Sequence, residues 1–239
     1  MKNLFLGNKF TYKLYLYYDL YLKNFYKKKT GYYSQWGEDV FIQEFFRDEK
    51  NGFYFDIGSY HPLKYSNTCL LHKHGWKGVN IDANQTSIDL FNIARPNDIN
   101  ICAALSDTSD YANYFVDHSL APVNTLDEKM YNKLKSTFFK KTKIKKIKTL
   151  TLNDLNKNSL ILNKTDFLNI DIEGFDLQVL KQIDLKRSNI KLAAIETHYP
   201  EGDKTNDCDA IFDYLDDNFY TVYKRVGPTT LFKKNKKSL

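Results

Sequence analysis

Two carboxylates in the first third of the chain, Asp56 and Asp82, each end a short run of strand-forming residues. The first run, 53–56, leads into a turn at Gly58, and the second run, 79–82, follows after a helix-like segment. In nucleotide-binding α/β sheets, a carboxylate about 20 residues beyond the first glycine turn binds the ribose hydroxyls of the cofactor. Asp82 follows Gly58 at close to this interval, so we predict that Asp82 binds a ribose diol.

The turn after the first strand indicates what else the cofactor contains. A pyrophosphate needs a loop with three glycines so that the backbone can approach it. Residues 58–62 contain one glycine, Gly58. This argues against NAD and FAD. S-adenosylmethionine (SAM) has a ribose but no phosphate, and its ammonium and sulfonium charges suit carboxylates near the turn. We therefore predict SAM as the cofactor; the alternative is an ordinary α/β sheet whose strands end in acids by chance.

Two later strand-like runs also end in groups that could do chemistry. The first ends at Asp171 and Glu173, and the second ends at Glu196 and His198. Removing a proton from a hydroxyl requires a base or a metal ion. His198 suits a base because its ordinary pKa lies near neutral pH, whereas Asp171, Glu196 and His198 together could bind Mg²⁺ or Mn²⁺. His61 is a second candidate base, and for either histidine the alternative is a structural hydrogen bond.

The elements that must position these residues alternate along the chain between strand-like and helix-like runs. This pattern is typical of a parallel α/β sheet. The predicted strands are 53–56, 79–82, 99–105, 166–171, 193–198, 220–223 and 230–232, with an extra strand at 111–116, and the predicted helices lie within 66–74, 86–94, 179–183 and 209–218. Adenine commonly lies against the end of the third strand of such a sheet, so Ser106 is a further candidate contact.

A capped amphipathic helix is predicted just before the first strand, where the apolar residues of 40–46 recur at helical spacing. Gln35, Gly37 and Glu38 lie at the N-terminal end of this predicted helix. This position makes the segment a candidate lid over the Gly58 turn. We expect Gln35 and Glu38 to contact the methionine end of the cofactor.

The composition limits the class of protein. The chain has 239 residues, a length that is enough for one α/β domain. Its formal net charge is +6. Lys, Asn, Ile, Tyr and Phe are all abundant, as A/T-rich codons would make them, so we do not predict binding to nucleic acid. The three cysteines are widely spaced and predict neither a disulfide framework nor a zinc site. The expected location is the cytoplasm.

Two basic segments lie outside this pattern. The aromatic, lysine-containing segment 1–31 has no apolar run long enough to span a membrane, and we expect it to contact either the inner face of a membrane peripherally, or the domain, or a second subunit in a homo-oligomer. Lysines crowd residues 133–148, either as a solvated face or as a flap that attracts an anionic acceptor. The predicted divisions are the extension 1–31, the domain 32–233 and a basic tail 234–239.

With these residues in view, the chain resembles the FkbM-like family of SAM-dependent methyltransferases over about residues 32–232. The matching motifs are Ser34-Gln35-x-Gly37-Glu38-Asp39, Phe55-Asp56-Ile57-Gly58 with His61-Pro62, Ser66-Asn67-Thr68, Gly75-Trp76-x-Gly78 before Asp82, and Asn169-Ile170-Asp171-Ile172-Glu173-Gly174.

This resemblance implies a Rossmann-like seven-stranded sheet of order 3-2-1-4-5-7-6 with helices on both faces. It also implies O-methylation of a sugar in a surface polysaccharide, a glycolipid or a related glycoside. The absence of an Asn/Asp-Pro-Pro-Tyr clamp at 171–174 agrees with oxygen as the target. The complete set of predicted cofactor contacts is Gln35, Gly37, Glu38, Asp56, Gly58, Ser59, Asn67, Thr68, Asp82, Ala83, Ser106 and Asp171.

Two alternatives remain for the function. The acceptor could be nucleotide-linked or phosphorylated, with the lysines of 133–148 binding its charge. The chain could instead be a non-catalytic scaffold with a SAM-binding fold in a glycan assembly complex. Acids retained at three strand ends argue against the second alternative.

Overall fold

A computed structural model describes residues 8–24, 31–117, 124–126, 128, 131–132, 135, 143–155, 160–172 and 174–235. The strands are β1 (Phe53–Ile57), β2 (Lys77–Asp82), β3 (Ile99–Cys102), β4 (Ala104–Leu105), β5 (Tyr111–Val116), β6 (Lys143–Leu150), β7 (Phe167–Ile170), β8 (Leu192–Glu196), β9 (Tyr220–Val226) and β10 (Thr229–Lys234). The helices are α1 (Lys9–Tyr18), which continues into a π-helical segment (Asp19–Lys23), α2 (Glu38–Phe45), α3 (Cys69–Lys73), α4 (Gln85–Ala94), α5 (Leu152–Leu155), α6 (Leu160–Lys164), α7 (Asp176–Leu180) and α8 (Cys208–Asp217).

Seven strands form the main sheet, in the order β3-β2-β1-β7-β8-β10-β9. The five strands β3, β2, β1, β7 and β8, which are neighbours in this order, are parallel. β10 pairs antiparallel with both β8 and β9. Numbered within this sheet alone, the strands have the order 3-2-1-4-5-7-6. The predicted fold class is therefore confirmed.

The central strands are buried on both faces because helices cover both sides of the sheet. Phe55 of β1 faces a core that includes Leu180 of α7 and Leu215 of α8. The preceding residue, Tyr54, faces a second core that includes Ile42 of α2. Successive side chains of a strand point to opposite faces, so one apolar run supplies both cores.

The third predicted strand, 99–105, is divided in the structure. β3 pairs with β2 in the main sheet, whereas β4 belongs to a second sheet of order β4-β6-β5. The break falls at Ala103, whose N–H still donates to Asp82 O. Beyond it the chain turns to pair with β6. The extra strand predicted at 111–116 is confirmed as β5.

The described part of the N-terminal extension packs on the domain. Leu16 and Leu20 are buried against Leu90 of α4, and the Tyr12 hydroxyl donates to Asp89 Oδ2 at 2.6 Å. In the part of the chain that the structure describes, none of the helices combines the length and apolar character needed to cross a bilayer.

Candidate functional site

A cleft of about 910 Å³, partly open to solvent, lies at the carboxyl ends of β1, β2 and β7. Ligands of parallel α/β sheets bind at this edge. The cleft is lined by Gln35, Ile57, Gly58, Tyr60, Tyr65, Ile81, Asp82, Ala83, Asn84, Ser87, Ala103, Ala104, Leu105, Tyr114, Asn124, Thr125, Leu126, Asp171 and Ile172.

Asp82 stands at the end of β2 and faces the cleft. Its carboxylate accepts hydrogen bonds from the N–H groups of Tyr60, at 2.8 Å, and Asn84, at 2.7 Å. Burial nevertheless raises the pKa of Asp82 to about 6 against the effect of these two donors. The oxygens keep further acceptor capacity, because a carboxylate has about four lone-pair positions. Asp82 can therefore accept hydrogen bonds from ligand hydroxyls.

Asp171, just after β7, contributes a second carboxylate to the cleft. Asp171 is exposed to solvent on the open side of the cleft, whereas the protein on its other sides desolvates the carboxyl group. This desolvation, followed by the charges of Asp176 and Glu38, raises the pKa of Asp171 to about 7. No side chain of the described residues donates a hydrogen bond to this carboxylate. Burial also raises the pKa of Glu38. Among the described residues, neither Asp82 nor Asp171 on the floor of the cleft has a cationic partner, and a bound cation would favour their ionised form.

Ser87 of α4 supplies an unpartnered hydroxyl to the same cleft. Its Oγ is buried and makes no hydrogen bond of good geometry among the described residues, although it lies close enough to the Asp82 carboxylate to oppose part of the effect of burial on the pKa of Asp82. A buried polar atom that has lost water without gaining a partner destabilises the protein. A ligand with hydroxyl groups and positive charge would therefore satisfy both Ser87 and the carboxylates, and the ribose and charged methionine end of SAM fit this description.

Asp56 is buried and is not among the residues that line the cleft, so its predicted direct contact with the cofactor stays a prediction. Its carboxylate accepts from Thr68 Oγ1 at 2.6 Å and from Asn169 Nδ2 at 2.9 Å. Asn67 Nδ2 in turn donates to Asn169 Oδ1. These bonds join β1, β7 and the segment before α3, so Asp56, Asn67 and Thr68 hold the floor of the cleft together.

Four other predicted cofactor residues also lie outside the lining. Ser59 Oγ donates to Ile81 O, and Ser106 is bound within its own turn to Thr108. Glu38, the first residue of α2, accepts from Trp36 N–H at 2.8 Å. Gly37, which has a positive φ, is the N-cap of this helix. Among the predicted contacts, the structure brings together Gln35, Gly58, Asp82, Ala83 and Asp171 in the cleft.

His61, a candidate base, is buried away from the cleft. Its Nδ1 accepts from the N–H groups of Leu63 and Lys64, at 3.0 and 3.1 Å. Nε2 therefore carries the proton and donates to Asp19 Oδ1 at 2.9 Å. Both ring nitrogens are occupied by structural bonds, which link the N-terminal extension to the loop after β1.

The proposed group of Asp171, Glu196 and His198 is not assembled as predicted. Only Asp171 lines the cleft. His198 Nδ1 is 2.8 Å from Thr197 Oγ1, and its backbone N–H donates to Pro228 O. No cluster of three or more metal-binding side chains occurs among the described residues, so the alternative of a Mg²⁺ or Mn²⁺ site on these three residues gains no support. Glu173 lies outside the described residues.

Several lining residues were missed from the sequence. Tyr60 and Tyr65 have positive φ angles of 51° and 55°, and their rings stack with centroids 6.0 Å apart. Tyr114 comes from β5, which the sequence predicted as a strand but could not place beside the cleft. Asn84 was recognisable as a helix N-cap, because its side chain accepts from Thr86 N–H. The sequence carries no signal for the tyrosines, because their backbone conformation depends on the fold.

Compared with known protein families, the sequence matches the model of the methyltransferase FkbM domain over residues 56–222. A search of curated proteins found no match.

Proposed function

The chain belongs to the methyltransferase FkbM family, and from this premise we propose that it methylates a hydroxyl of a sugar in a surface polysaccharide, a glycolipid or a related glycoside, with SAM as the donor. The observation that carries the proposal is the cleft with Asp82 and Asp171 on its floor, in which no cation of the described residues is paired with Asp171. When bound, SAM supplies an activated methyl group.

The chain's own residues divide between holding the cofactor and preparing the acceptor. In this proposal the Asp82 carboxylate accepts hydrogen bonds from the ribose hydroxyls, and the Ser87 hydroxyl forms a further hydrogen bond with them. Gln35, three residues before the start of α2, also lines the cleft. Hydrogen bonds from Tyr60 and Asn84 fix the Asp82 carboxylate before a ligand arrives, which lowers the entropic cost of binding.

Asp171 is the group best placed to take a proton from an acceptor hydroxyl. Its carboxylate reaches the cleft, and its raised pKa of about 7 makes it a stronger base than an ordinary aspartate. His198 remains the alternative base, although it does not line the cleft. Oxygen rather than nitrogen as the target is supported by the sequence after β7, which lacks the Pro-Pro-Tyr clamp of amino methyltransferases.

A phosphorylated or nucleotide-linked acceptor is a second candidate, and the register of the small sheet favours it. Tyr114, which lines the cleft, pairs directly with Lys145 of β6. Directly opposed residues of an antiparallel pair share one face, and Lys143, two residues away, shares that face as well. Both lysines are exposed, so they stand on the Tyr114 side of the sheet, where an anionic group of the acceptor could bind.

The test is methyl transfer by the purified chain, followed by mass spectrometry of candidate acceptors. Neutral glycosides, glycolipids, sugar phosphates and nucleotide sugars are each incubated with SAM. We expect a gain of one methyl group on a sugar oxygen. Asp171→Asn should lower kcat by at least about 100-fold, the usual contribution of a general base, while His198→Gln should change it less than tenfold. Chelator should have no effect.

The acceptor series also separates the alternatives. Exclusive methylation of phosphorylated sugars, with activity lost in Lys143→Ala/Lys145→Ala, would establish the second candidate in place of the first. Tight SAM binding without transfer to any class of acceptor would instead indicate a scaffold. Loss of activity with chelator, restored by Mg²⁺, would contradict a carboxylate base acting alone.

A further inference from the structure

Tyr60 and Tyr65 form an aromatic surface on one side of the cleft, hereafter the tyrosine wall. Both side chains line the cleft and are partly buried. Their rings lie 19° from parallel, with centroids 6.0 Å apart. Both residues belong to the loop that connects β1 to α3. Aromatic rings with a few polar groups are the usual lining of sites that bind small organic molecules.

The backbone of the tyrosine wall is strained. Among the described residues, the non-glycine residues with a positive φ are Tyr60 at 51°, Tyr65 at 55° and Phe219 at 66°. Phe219 lies just beyond the C-cap of α8, where a left-handed residue commonly ends a helix. Neither tyrosine follows a helix. A left-handed φ is unusual for a bulky residue, and such strain is found chiefly at functional sites.

A buried arginine and a carboxylate hold the strained loop in place. Arg95 is 1% exposed, and its Nη2 donates to Pro62 O at 2.8 Å and to Ser66 Oγ at 3.1 Å. At the start of the loop, the Tyr60 N–H donates to Asp82 Oδ2 at 2.8 Å. These bonds fix the loop at its start, in its middle and at its end. The rings are therefore positioned before a ligand binds, which lowers the entropic cost of binding.

The tyrosine wall lies towards the half of the cleft that would hold the reacting methyl group. The strands beneath the cleft have the order β3, β2, β1 and β7. With the ribose on Asp82, at the end of β2, adenine extends towards the apolar lining beyond β3, at Ala103 and Leu105. The methionine end then lies towards β1 and β7, beside Asp171. The loop of the tyrosine wall follows β1, so the wall stands on this side.

A lysine beside the rings disfavours the sulfonium group of SAM as their partner. Aromatic faces attract cations, but these rings already have one. Lys64 Nζ lies 4.5 Å from the ring centroid of Tyr65 and 5.9 Å from that of Tyr60. A second positive charge on the same rings would be repelled by the ammonium group. A neutral ring that presents C–H groups meets no such repulsion, and its hydroxyl groups can accept hydrogen bonds from an ammonium group.

We propose that the tyrosine wall binds the sugar ring of the acceptor, whose C–H face stacks on the tyrosine rings so that a hydroxyl is presented towards Asp171. This inference rests on the proposed function and names the residues that select a sugar. Tyrosine suits the role because its ring gives a large, rigid contact surface with a polar end. The acceptor must then contain a closed sugar ring, since an open-chain polyol with the same hydroxyl groups has no rigid face to stack.

Binding of methyl glycosides of glucose, galactose and mannose tests the proposal without requiring turnover. The full chain is saturated with S-adenosylhomocysteine, and saturation-transfer NMR reports which ligand protons contact the protein. We expect saturation of the ring C–H protons of at least one glycoside, and none for mannitol, the open-chain comparison. Tyr60→Asn/Tyr65→Asn should weaken glycoside binding by about tenfold, since each stacking contact contributes a factor of roughly 2 to 12. Asparagine is used because it adopts a positive φ readily.

Phe219→Asn is the matched control. Phe219 is also an aromatic residue with a positive φ, and Lys186 Nζ lies 5.5 Å from its ring centroid. It precedes β9 at the opposite edge of the sheet, where β8 begins. This variant should bind glycosides like the parent chain. In all variants the Kd for SAM should stay within about threefold of the parent's, because the tyrosine wall serves the acceptor.

A milder variant and a kinetic measurement complete the test. Tyr65→Leu keeps an apolar side chain without the ring, and it should weaken glycoside binding about threefold even if the double variant does not fold. With an acceptor that is methylated, Tyr65→Leu should raise KM by the same factor and leave kcat unchanged, because stacking holds the ground state and the transition state equally.

The outcomes separate this inference from the proposed function. If a glycoside is methylated by the parent chain but binds Tyr65→Leu and the double variant equally well, the inference is overturned and the proposed function stands. A loss of SAM affinity as large as the loss of glycoside affinity also overturns it, since the rings would then serve the cofactor or the fold. Equal binding of mannitol and the glycosides would show that no ring face is recognised. If no sugar binds or is methylated, the proposed function fails and this inference fails with it.

Discussion

Gly58 and Asp171 approach so closely that a β-carbon built on Gly58 would lie 1.8 Å from the backbone oxygen of Asp171. The contact joins the turn after β1 to the end of β7, where the Asp171 N–H donates to Ile57 O. The glycine also has a φ of +82°. Only glycine satisfies both requirements, and the contact fixes where the Asp171 carboxylate enters the cleft.

Gly58→Ala should therefore destabilise the protein by at least about 3 kcal/mol, because backbone overlap is added to backbone strain. Gly202→Ala is the matched control. Gly202 also has a positive φ, of 100°, but has nothing within 4 Å of an added β-carbon, so it should lose only about 1–2 kcal/mol. Urea unfolding measures both. Equal losses in the two variants would show that the close approach to Asp171 is unimportant.

Asp82→Asn should weaken SAM binding by about 10- to 150-fold, the equivalent of a lost charge-assisted hydrogen bond of roughly 1.5–3 kcal/mol. Calorimetry with SAM and S-adenosylhomocysteine measures the change. Asp213→Asn, at an exposed position of α8, is the control and should leave the Kd unchanged. Binding of NAD but not of SAM by the parent chain would refute the cofactor assignment.

Ser87→Ala tests whether the Ser87 hydroxyl binds the ligand, because it should affect the stability of the unliganded protein and the affinity for SAM in opposite directions. The unliganded variant should be as stable as the parent or slightly more stable, because a buried atom without a partner is removed. Its affinity for SAM should fall by several-fold, since a hydrogen bond of about 1 kcal/mol is lost. Thermal unfolding with and without SAM reports both. An unchanged ligand-induced shift would place the ligand away from Ser87.

The raised pKa of Asp171 predicts how stability depends on pH. The folded state holds this proton more tightly than the unfolded state, so the stabilising contribution is complete below the ordinary value of 3.8 and is lost progressively as the pH rises from there to about 7. Asp171→Asn removes this loss of stability at high pH, because an asparagine side chain does not ionise. The variant's melting temperature should therefore exceed the parent's by more at pH 8 than at pH 4, and only by on the order of 2 °C, because solvent screens this exposed carboxylate.

SAM binding should offset the loss of stability that ionised Asp171 causes in the parent chain at high pH. A cationic ligand favours the ionised carboxylate, so the thermal shift produced by SAM should be larger at pH 8 than at pH 5. Asp171→Asn should show a smaller dependence on pH. If the parent's shift is the same at both pH values, Asp171 does not interact with the charge of the ligand.

The Asp19 and His61 side chains should show strong energetic coupling. Asp19→Asn, His61→Gln and the double variant form a cycle, for which we expect a coupling energy of roughly 1–3 kcal/mol, because each single change leaves a buried partner unsatisfied. With saturating SAM, His61→Gln should keep kcat within about threefold. A loss of 100-fold or more would instead restore His61 as a catalytic base.

The sequence by itself determined the sheet and the edge at which the cleft lies. Alternating strand and helix patterns predicted the seven strands, and acids at the ends of parallel strands must meet at one edge of the sheet. Asp82 and Asp171 are in the cleft for this reason. Gly58 was also identifiable, since a single glycine after a buried strand indicates a tight turn.

Only the tertiary structure decided which of these residues face the cleft. Asp56 pairs in register with Asn80 and Asn169 on the neighbouring strands, and its carboxylate is taken up by Asn169 and Thr68. His61 is likewise occupied by Asp19, 42 residues away in the chain. Register and long-range partners are set by packing of the whole domain, and the local sequence cannot distinguish a strand-end acid that binds a ligand from one that binds a neighbouring strand.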